Sequence, residues 1–277
     1  MNRLTLIPFT FHILMRLDPW ASSQSTDYAR MKEQFGLEDI ELDKLPNPGK
    51  LHRREIVFSH RDLDLILDAK KEGRPFGVLT GLMPSGKMHL GHKMVIDQVK
   101  WFQDLGADVM IAVADLEALA TRGMTLEDCR EVAMSEYVLS YAAMGLDPEK
   151  TEIYFQSERS IVQELGFTLG KNTNLSEMEA LYGFTGKTNL AHVQAPLVQA
   201  GDIIHPQLEK YGGLRPIVVP VGIDQDPHLR LTRGLASKSN WFNVSAAKNG
   251  GMVIGLSLQD DNAAALGIGA DGRMDRE

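Results

Sequence analysis

Two histidines lie three residues apart in a glycine-rich stretch between residues 80 and 93. The stretch reads Thr-Gly-Leu-Met-Pro-Ser-Gly-Lys-Met-His-Leu-Gly-His-Lys. An apolar run at 76–79 precedes it and a segment with helical periodicity follows, which predicts a strand, a loop and a helix start. Backbone N–H groups at such a helix start attract phosphate. His89, His92 and the neighbouring Lys87 are therefore candidates to stabilise charge that develops on phosphate oxygens.

The same residues allow two other interpretations. Gly81, Gly86 and Lys87 satisfy the G-x-x-x-x-G-K part of a P-loop. The next residue, Met88, cannot replace the hydroxyl that holds magnesium there, and Pro84 lacks an N–H donor, so the pattern disfavours a P-loop. The histidine pair could also chelate a metal, but no third ligand is evident nearby, which disfavours a metal site.

The sequence around residues 80–93 alternates between apolar runs and amphipathic segments. This alternation predicts a parallel sheet covered by helices, which would hold residues 80–93 in place. The predicted strands are 76–80, 108–114, 152–156 and 216–221. One amphipathic helix is predicted to end near Gly106, and another, with its apolar stripe at 134–144, at Gly145. The interval 157–215 is too long for a simple crossover, which indicates an insertion.

The pattern divides the chain into three parts. These are an N-terminal extension at 1–65, a catalytic domain at 66–240 that contains the insertion at about 157–215, and a divergent C-terminal segment at 241–277. Within the extension, 28–35 is predicted to form a short helix, and Ser59 to cap a helix from Arg61 to about Lys71. We expect Met15 to be the true initiator and residues 1–14 an upstream artefact, because turn-rich polar sequence begins there.

Composition narrows the class of protein. With 43% apolar residues in 277, the chain can bury a sizeable core. Its net charge of -8 argues against a protein that grips nucleic acid through overall basicity, so any RNA contact must be local. A single cysteine, Cys129, excludes an internal disulfide and fits a reducing compartment. We expect a cytoplasmic protein with no membrane partner, since Pro8 and His12 interrupt the apolar N-terminal run.

Two long motifs carry a resemblance to a known family. Residues 84–93 resemble the HIGH signature of class I aminoacyl-tRNA synthetases, in the form found in archaeal-type tryptophanyl-tRNA synthetases. Residues 221–233 read Val-Gly-Ile-Asp-Gln-Asp-Pro-His-Leu-Arg-Leu-Thr-Arg, which resembles the tryptophan enzyme of archaeal and eukaryotic type. The tyrosine enzyme shares Gly-x-Asp-Gln but fits less well. The resemblance covers roughly residues 50–235.

This resemblance implies a fold class and a function. The expected fold is α/β, the Rossmann-like nucleotide-binding fold of class I synthetases, a parallel sheet flanked by helices, with an N-terminal extension and an inserted connective segment. The expected activity is that of a tryptophan-tRNA ligase, which activates tryptophan with ATP and Mg²⁺ to tryptophanyl-adenylate and transfers it to tRNA(Trp). The insertion is expected to carry part of the amino-acid pocket and the interface of a homodimer.

The resemblance also implies roles for single residues. Catalytic roles fall to Lys87, His89 and His92. The expected ATP-binding residues are Thr80, Pro84, Ser85, Gly86, Gly91, Gly222 and Asp224. The expected tryptophan-binding residues are Leu79, Glu117, Gln199 and Gln225. Asp226 and Pro227 are predicted to start a helix, with the aspartate as its cap.

The chain departs from the family pattern in several places. Leu79 and Ala112 stand where the eukaryotic pattern has tyrosine and glutamine, and Gly234 where it has aspartate. No Lys-Met-Ser-Lys-Ser or Lys-Met-Ser-Ser-Ser occurs, and the anticodon-binding domain is missing. We therefore expect an N-terminal fragment with impaired catalysis. The alternatives are a non-catalytic relative that binds an amino acid or nucleotide, and a tyrosine-specific synthetase.

Overall fold

The computed structural model of this chain describes residues 28–239 and the strand Val253–Leu258. The predicted start at Met15 and most of the predicted C-terminal segment at 241–277 lie outside the described residues. The three-part division of the chain stays a prediction.

The strands of the described residues form one seven-stranded sheet. Its strands, in chain order, are β1 Glu38–Asp39, β2 Val57–Arg61, β3 Gly77–Leu82, β4 Asp108–Val113, β5 Thr151–Phe155, β6 Ile217–Gly222 and β7 Val253–Leu258. Their order across the sheet is β1-β2-β7-β6-β3-β4-β5. The five strands from β7 to β5 run parallel, and β1 and β2 are antiparallel at one edge. The four predicted strands are confirmed as β3, β4, β5 and β6.

Helices connect and cover the strands. They are α1 Tyr28–Phe35, α2 Lys50–Arg53, α3 Asp64–Glu72, α4 Leu90–Leu105, α5 Asp115–Arg122, α6 Leu126–Val132, α7 Leu139–Ala143, α8 Ser160–Leu169, α9 Leu175–Tyr182, α10 Leu190–Ile204 and α11 Asp226–Ser239. The short helix predicted at 28–35 is confirmed as α1. The predicted fold class is also confirmed, since parallel strands alternate with covering helices.

The two predicted glycine stops are confirmed. Gly106 follows α4 with φ 107°, and Gly145 follows α7 with φ 82°, a left-handed backbone that favours glycine. The apolar stripe at 134–144 does not form one regular helix, however. A π-helical turn, Ala133–Val138, separates α6 from α7. Such turns widen a helix locally and shift the side chains that follow.

Successive residues of the central strands face opposite layers of the core. Val78 and Ile111 pack with α4 on one face, whereas Leu79 and Ala112 pack with Val198 of α10 on the other. The period of two therefore places Leu79 and Ala112 together, on the face covered by α8 and α10.

The N-terminal segment is part of this sheet. Ser59, predicted to cap a helix, instead lies within β2, is fully buried and pairs with Ser257 of β7. The helix predicted to start at Arg61 begins at Asp64. Both errors arise because the partner strand lies far along the chain, where local sequence carries no signal of it.

Candidate active site

The two histidines lie where the loop after β3 passes into α4, His89 directly before the helix and His92 in its first turn. The backbone N–H of His89 donates to Nδ1 of His92 at 3.3 Å, and the ring centroids lie 3.9 Å apart. Helix α4 begins at Leu90, immediately after His89. Gly81 lies within β3, and Lys87 lies three positions before the first residue of α4. A P-loop instead has its first glycine after the strand and its lysine at the helix start, so this loop does not have the shape of a P-loop.

The predicted residues of this loop differ in burial. Thr80, in β3, is 3% exposed, and Pro84 is buried. Ser85, Gly86, Lys87 and His89 are exposed, whereas Gly91 and His92 are half-buried. The loop thus presents polar groups above the carboxyl end of β3, at the start of a helix.

The second motif lies beside the first. Strand β6 ends at Gly222 and passes into a 3-10 turn, Ile223–Gln225, from which α11 continues. Strands β3 and β6 are parallel neighbours, so their carboxyl ends meet at one edge of the sheet. Asp224 and Gln225 are half-buried, and Gln225 Nε2 donates to Asp224 Oδ2 at 2.7 Å. The structure therefore brings both motifs to one edge.

Asp226 does not act as the predicted cap. Its backbone is helical, with φ -55° and ψ -34°, and its carboxylate is buried. Arg61 Nη2 approaches that carboxylate at 2.9 Å, and Arg230 Nε at 3.0 Å. Asp226 is thus held as a buried ion-pair partner, and the predicted position of the helix start is correct within one residue.

Leu79, predicted to bind the amino acid, lies with Ala112 on the face of the sheet covered by α8 and α10. Both are almost fully buried, with exposed fractions of 3% and 2%. Glu117, on α5 after β4, and Gln199, on α10, are half-buried.

Asp202 is a buried carboxylate that the sequence predictions missed. It lies on α10 and accepts a hydrogen bond from Tyr154 Oη at 2.8 Å and another from Gln156 Nε2. Tyr154 is the cross-strand partner of Ala112 and belongs to the same core cluster as Leu79. Burial raises the pKa of Asp202 to about 7. The sequence did contain a signal for Asp202, because it is an acidic residue within an otherwise apolar helical segment, three residues after Gln199.

The sequence match decides the family. Residues 70–252 match the family model of class I tRNA synthetases (W and Y). The chain belongs to this family. The resemblance stated from the two motifs is thereby confirmed.

Individual members of the class I family are similar over most of this chain. It is 51% identical over 231 residues to the tryptophan-tRNA ligase of Methanosarcina acetivorans, covering 83% of this chain and 53% of that protein. It is also 51% identical over 245 residues to that of Thermoplasma acidophilum, covering 88% and 56%. The chain therefore spans about half the length of these relatives.

The fold agrees with solved class I structures. The tryptophanyl-tRNA synthetase from Aeropyrum pernix superimposes with a TM-score of 0.76 at 41% identity, over 93% of this chain and 68% of that one. The enzyme from Encephalitozoon cuniculi bound to tryptophan gives 0.74 at 28% identity, over 84% and 69%.

Tyr182 and His228 form a second buried polar contact. Tyr182 Oη and His228 Nδ1 are 3.0 Å apart, and both side chains are buried. Burial lowers the pKa of His228 to about 3, so its imidazole is neutral at pH 7. The pair joins α9 of the insertion to α11 of the second motif.

Within residues 28–239 and 253–258, no group of three or more His, Cys, Asp or Glu side chains is placed to hold a metal ion. No helix in those ranges combines the length and hydropathy needed to cross a bilayer.

Proposed function

We propose that this chain carries the amino-acid-activating half of a tryptophan-tRNA ligase. The observation that carries the proposal is the meeting of the two motifs, 84–93 and 221–233, at the carboxyl edge of β3 and β6. The tryptophan carboxylate would attack the α-phosphorus of ATP, the bond to the pyrophosphate oxygen would break, and tryptophanyl-adenylate would form. Transfer of the tryptophanyl group to tRNA(Trp) in the cytoplasm would complete the reaction.

The first motif supports a role in phosphate binding. His89, His92 and Lys87 present donors beside the N-terminus of α4, where backbone N–H groups also point outward. These donors would stabilise the negative charge that grows on the phosphate oxygens in the transition state. Gly86 and Gly91 let the nucleotide approach the backbone, with Pro84 and Ser85 shaping the loop and Thr80 supporting it from β3. Mg²⁺ would arrive with ATP, held by its phosphate oxygens.

The second motif supports a role in holding the ribose and the amino acid. Gly222 leaves room for a ligand above the end of β6, and the Asp224 carboxylate can accept hydrogen bonds from ribose hydroxyls. Gln225 carries both a donor and an acceptor next to it. With Glu117 and Gln199, it would contact the α-ammonium group of tryptophan.

The apolar side chains of Leu79 and Ala112 would pack against an indole ring, which also needs one acceptor for its N–H. Asp202 supplies a carboxylate next to Tyr154. Tyr154 and Gln156 already hold the Asp202 carboxylate in place, and its two oxygens have acceptor capacity beyond those two bonds. We assign the indole N–H to Asp202, which accounts for recognition without the tyrosine and glutamine of the eukaryotic pattern.

Assembly through the insertion is part of the proposal. Leu190 and Phe167 are 85% and 78% exposed, and Leu175 is 57% exposed. All three come from helices of the insertion at 157–215, and large exposed apolar side chains of this kind mark interaction surfaces. A homodimer through this region would bury them. Sedimentation equilibrium of the parent and of a Phe167→Asp, Leu190→Asp variant tests this, and a monomeric parent would contradict it.

Activity of the isolated 277 residues is expected to be low. They contain no Lys-Met-Ser-Lys-Ser sequence. In the family that loop supplies a lysine for the departing pyrophosphate, an interaction that acts mainly in the transition state. The chain should therefore bind both substrates yet catalyse tryptophan-dependent pyrophosphate exchange slowly. Exchange at the rate of a full-length relative would contradict this part of the proposal.

Titration calorimetry with tryptophan, tyrosine and ATP tests the proposed function. We expect binding of tryptophan and ATP, and weaker binding of tyrosine. Asp202→Asn keeps the size of the side chain but replaces the carboxylate, and it should weaken tryptophan binding while leaving ATP binding unchanged. Preferred binding of tyrosine would point to the tyrosine enzyme, and absence of all binding would refute a synthetase site.

A further inference from the structure

A buried ion-pair network joins Asp226 and Arg230 of the second motif to Arg61 of β2. The Asp226 carboxylate is completely buried and follows Gln225 in sequence. Arg61 Nη2 approaches Asp226 Oδ1 at 2.9 Å and Oδ2 at 3.2 Å, and Arg61 Nε approaches Oδ1 at 3.3 Å. Arg230, one turn along α11, approaches the other side of the same carboxylate at 3.0 Å. A buried carboxylate between two guanidinium groups is fixed in place, because leaving either oxygen unpaired is costly.

The N-terminal segment supplies half of this network. Arg61 lies at the end of β2, and its Nη1 also donates to the carbonyl oxygen of Phe35 at 2.7 Å, at the end of α1. The Arg230 guanidinium lies over the Phe35 ring, 4.7 Å from its centroid. Arg61, which lies outside the residues 70–252 that match the family model, thus connects α1, β2 and α11.

The 3-10 turn itself rests on the same helix. Ile223, the first residue of the turn, is fully buried in a cluster with Met31 and Phe35 of α1. The turn is therefore held at both ends, by Ile223 packed on α1 and by Asp226 bonded to Arg61. Between these anchors lie Asp224 and Gln225, whose side chains are half-buried and hydrogen-bonded to each other.

We propose that Arg61 is a positioning residue for substrate binding, which acts through Asp226 to hold Asp224 and Gln225 in place, and that α1 completes this support through Phe35. The inference rests on the proposed function, in which Asp224 contacts the nucleotide and Gln225 the amino acid. Removing Arg61 would let the turn shift at one end, and small shifts of positioning groups lower affinity strongly. Both ligands should be affected, since the two contact residues are adjacent.

The chain offers a matched control. Arg215 is buried, whereas Arg61 is half-buried; like Arg61 it bonds one aspartate, the exposed Asp108, and one backbone carbonyl, that of Tyr211 at 3.0 Å. It lies before β6, at the opposite edge of the sheet from the two motifs. Loss of Arg215 removes one ion pair and one hydrogen bond to a backbone carbonyl without touching the turn. Arg61→Met and Arg215→Met therefore separate a positioning role from a general structural one.

Calorimetric affinities for tryptophan and for ATP, with melting temperatures, are measured on the full 277-residue chain. Arg61→Met should raise both dissociation constants about tenfold, as expected when a buried anchor is lost. Arg215→Met should lower the melting temperature but keep both dissociation constants within about twofold of the parent. Arg61→Lys, which keeps the charge but not the paired hydrogen bonds, should fall between Arg61→Met and the parent.

The outcomes are distinct. Unchanged affinities in Arg61→Met, or equal losses in both arginine variants, would overturn the positioning role while leaving the proposed function intact. If Arg61→Met does not fold, the same comparison is made with Arg61→Lys, and parental affinities there overturn the inference. A parent chain that binds neither ligand overturns the proposed function, and the inference with it.

Discussion

The ring of Tyr137 meets the ring of His92 edge-on, with centroids 5.3 Å apart and planes at 83°. Tyr137 is 1% exposed and lies in the π-helical turn between α6 and α7. A regular helix would direct the side chain at this position differently, so the π turn matters for the contact. It places a rigid ring behind a histidine of the first motif.

We therefore expect Tyr137→Leu to weaken ATP binding. An edge-to-face ring contact contributes about 0.5–1.5 kcal/mol, so the dissociation constant for ATP should rise about two- to tenfold. Tyr137→Phe keeps the ring and serves as the control, with an affinity close to that of the parent. Calorimetry on the three proteins checks this. Equal affinities for the Leu and Phe variants would show that the ring does not position His92.

Buried histidines should make the fold acid-sensitive. Burial lowers the pKa of His52 to about 4, of His205 to about 4 and of His228 to about 3. In the unfolded chain a histidine has a pKa near 6.5. Between pH 6.5 and the lower pKa values of the folded state, the unfolded chain therefore binds more protons than the folded chain. Stability is therefore full above about pH 6.5 and falls as the pH drops toward 4, by up to about 1.4 kcal/mol per pH unit for each histidine.

Urea unfolding at several pH values between 7.5 and 5 measures this loss. His52, whose ring lies 4.5 Å from that of Trp101, is the residue to replace because it is remote from the two motifs in sequence. His52→Gln should lose less stability on acidification than the parent, and titration of other groups cancels in the comparison. Parallel pH profiles for the two proteins would contradict the prediction.

Asp202 makes tryptophan binding depend on pH as well. Its pKa of about 7 means that the carboxylate is largely protonated at pH 6 and ionised at pH 8. An ionised carboxylate accepts a hydrogen bond more strongly than a neutral acid. The tryptophan dissociation constant should therefore fall as the pH rises through 7. In Asp202→Asn it should be flat over this range, and an unchanged pH profile in that variant would exclude Asp202 as the acceptor.

Gly234 offers a test of stability alone. It lies inside α11, it is exposed, and a Cβ built there meets nothing within 4 Å. Gly234→Ala should raise the free energy of unfolding by about 0.5–1 kcal/mol, because glycine loses more backbone entropy in a helix. Tryptophan and ATP affinities should not change. A destabilised variant would show that the helix needs glycine for another reason.

Local patterns were sufficient for the central part of the fold. Apolar runs marked β3 to β6, and the glycines at 106 and 145 marked helix ends, since each signal acts within a few residues. The two motifs identified the edge of the sheet at which ligand binding is proposed. The length of the two motifs made them specific, whereas the G-x-x-x-x-G-K pattern or the Gly-x-Asp pattern alone occurs in several folds.

Long-range partners explain what local patterns did not predict. Asp226 followed by proline has the composition of a helix cap, yet its carboxylate bonds Arg61, 165 positions away. Ser59 has the composition of a cap as well, but β7 pairs with it from the far end of the described chain. Asp202 was missed because its environment, including Tyr154 and Gln156, is assembled by folding. The spacing of residues along the sequence does not predict contacts of this kind.

The position of β7 has a consequence for the order of events during synthesis. This strand, the last of those described along the chain, lies inside the sheet between β2 and β6. Until residues 253–258 have left the ribosome, both neighbouring strands have an open edge, which invites pairing with other chains. Nascent chains of this protein should therefore depend on chaperones for longer than a fold whose interior strands are made first.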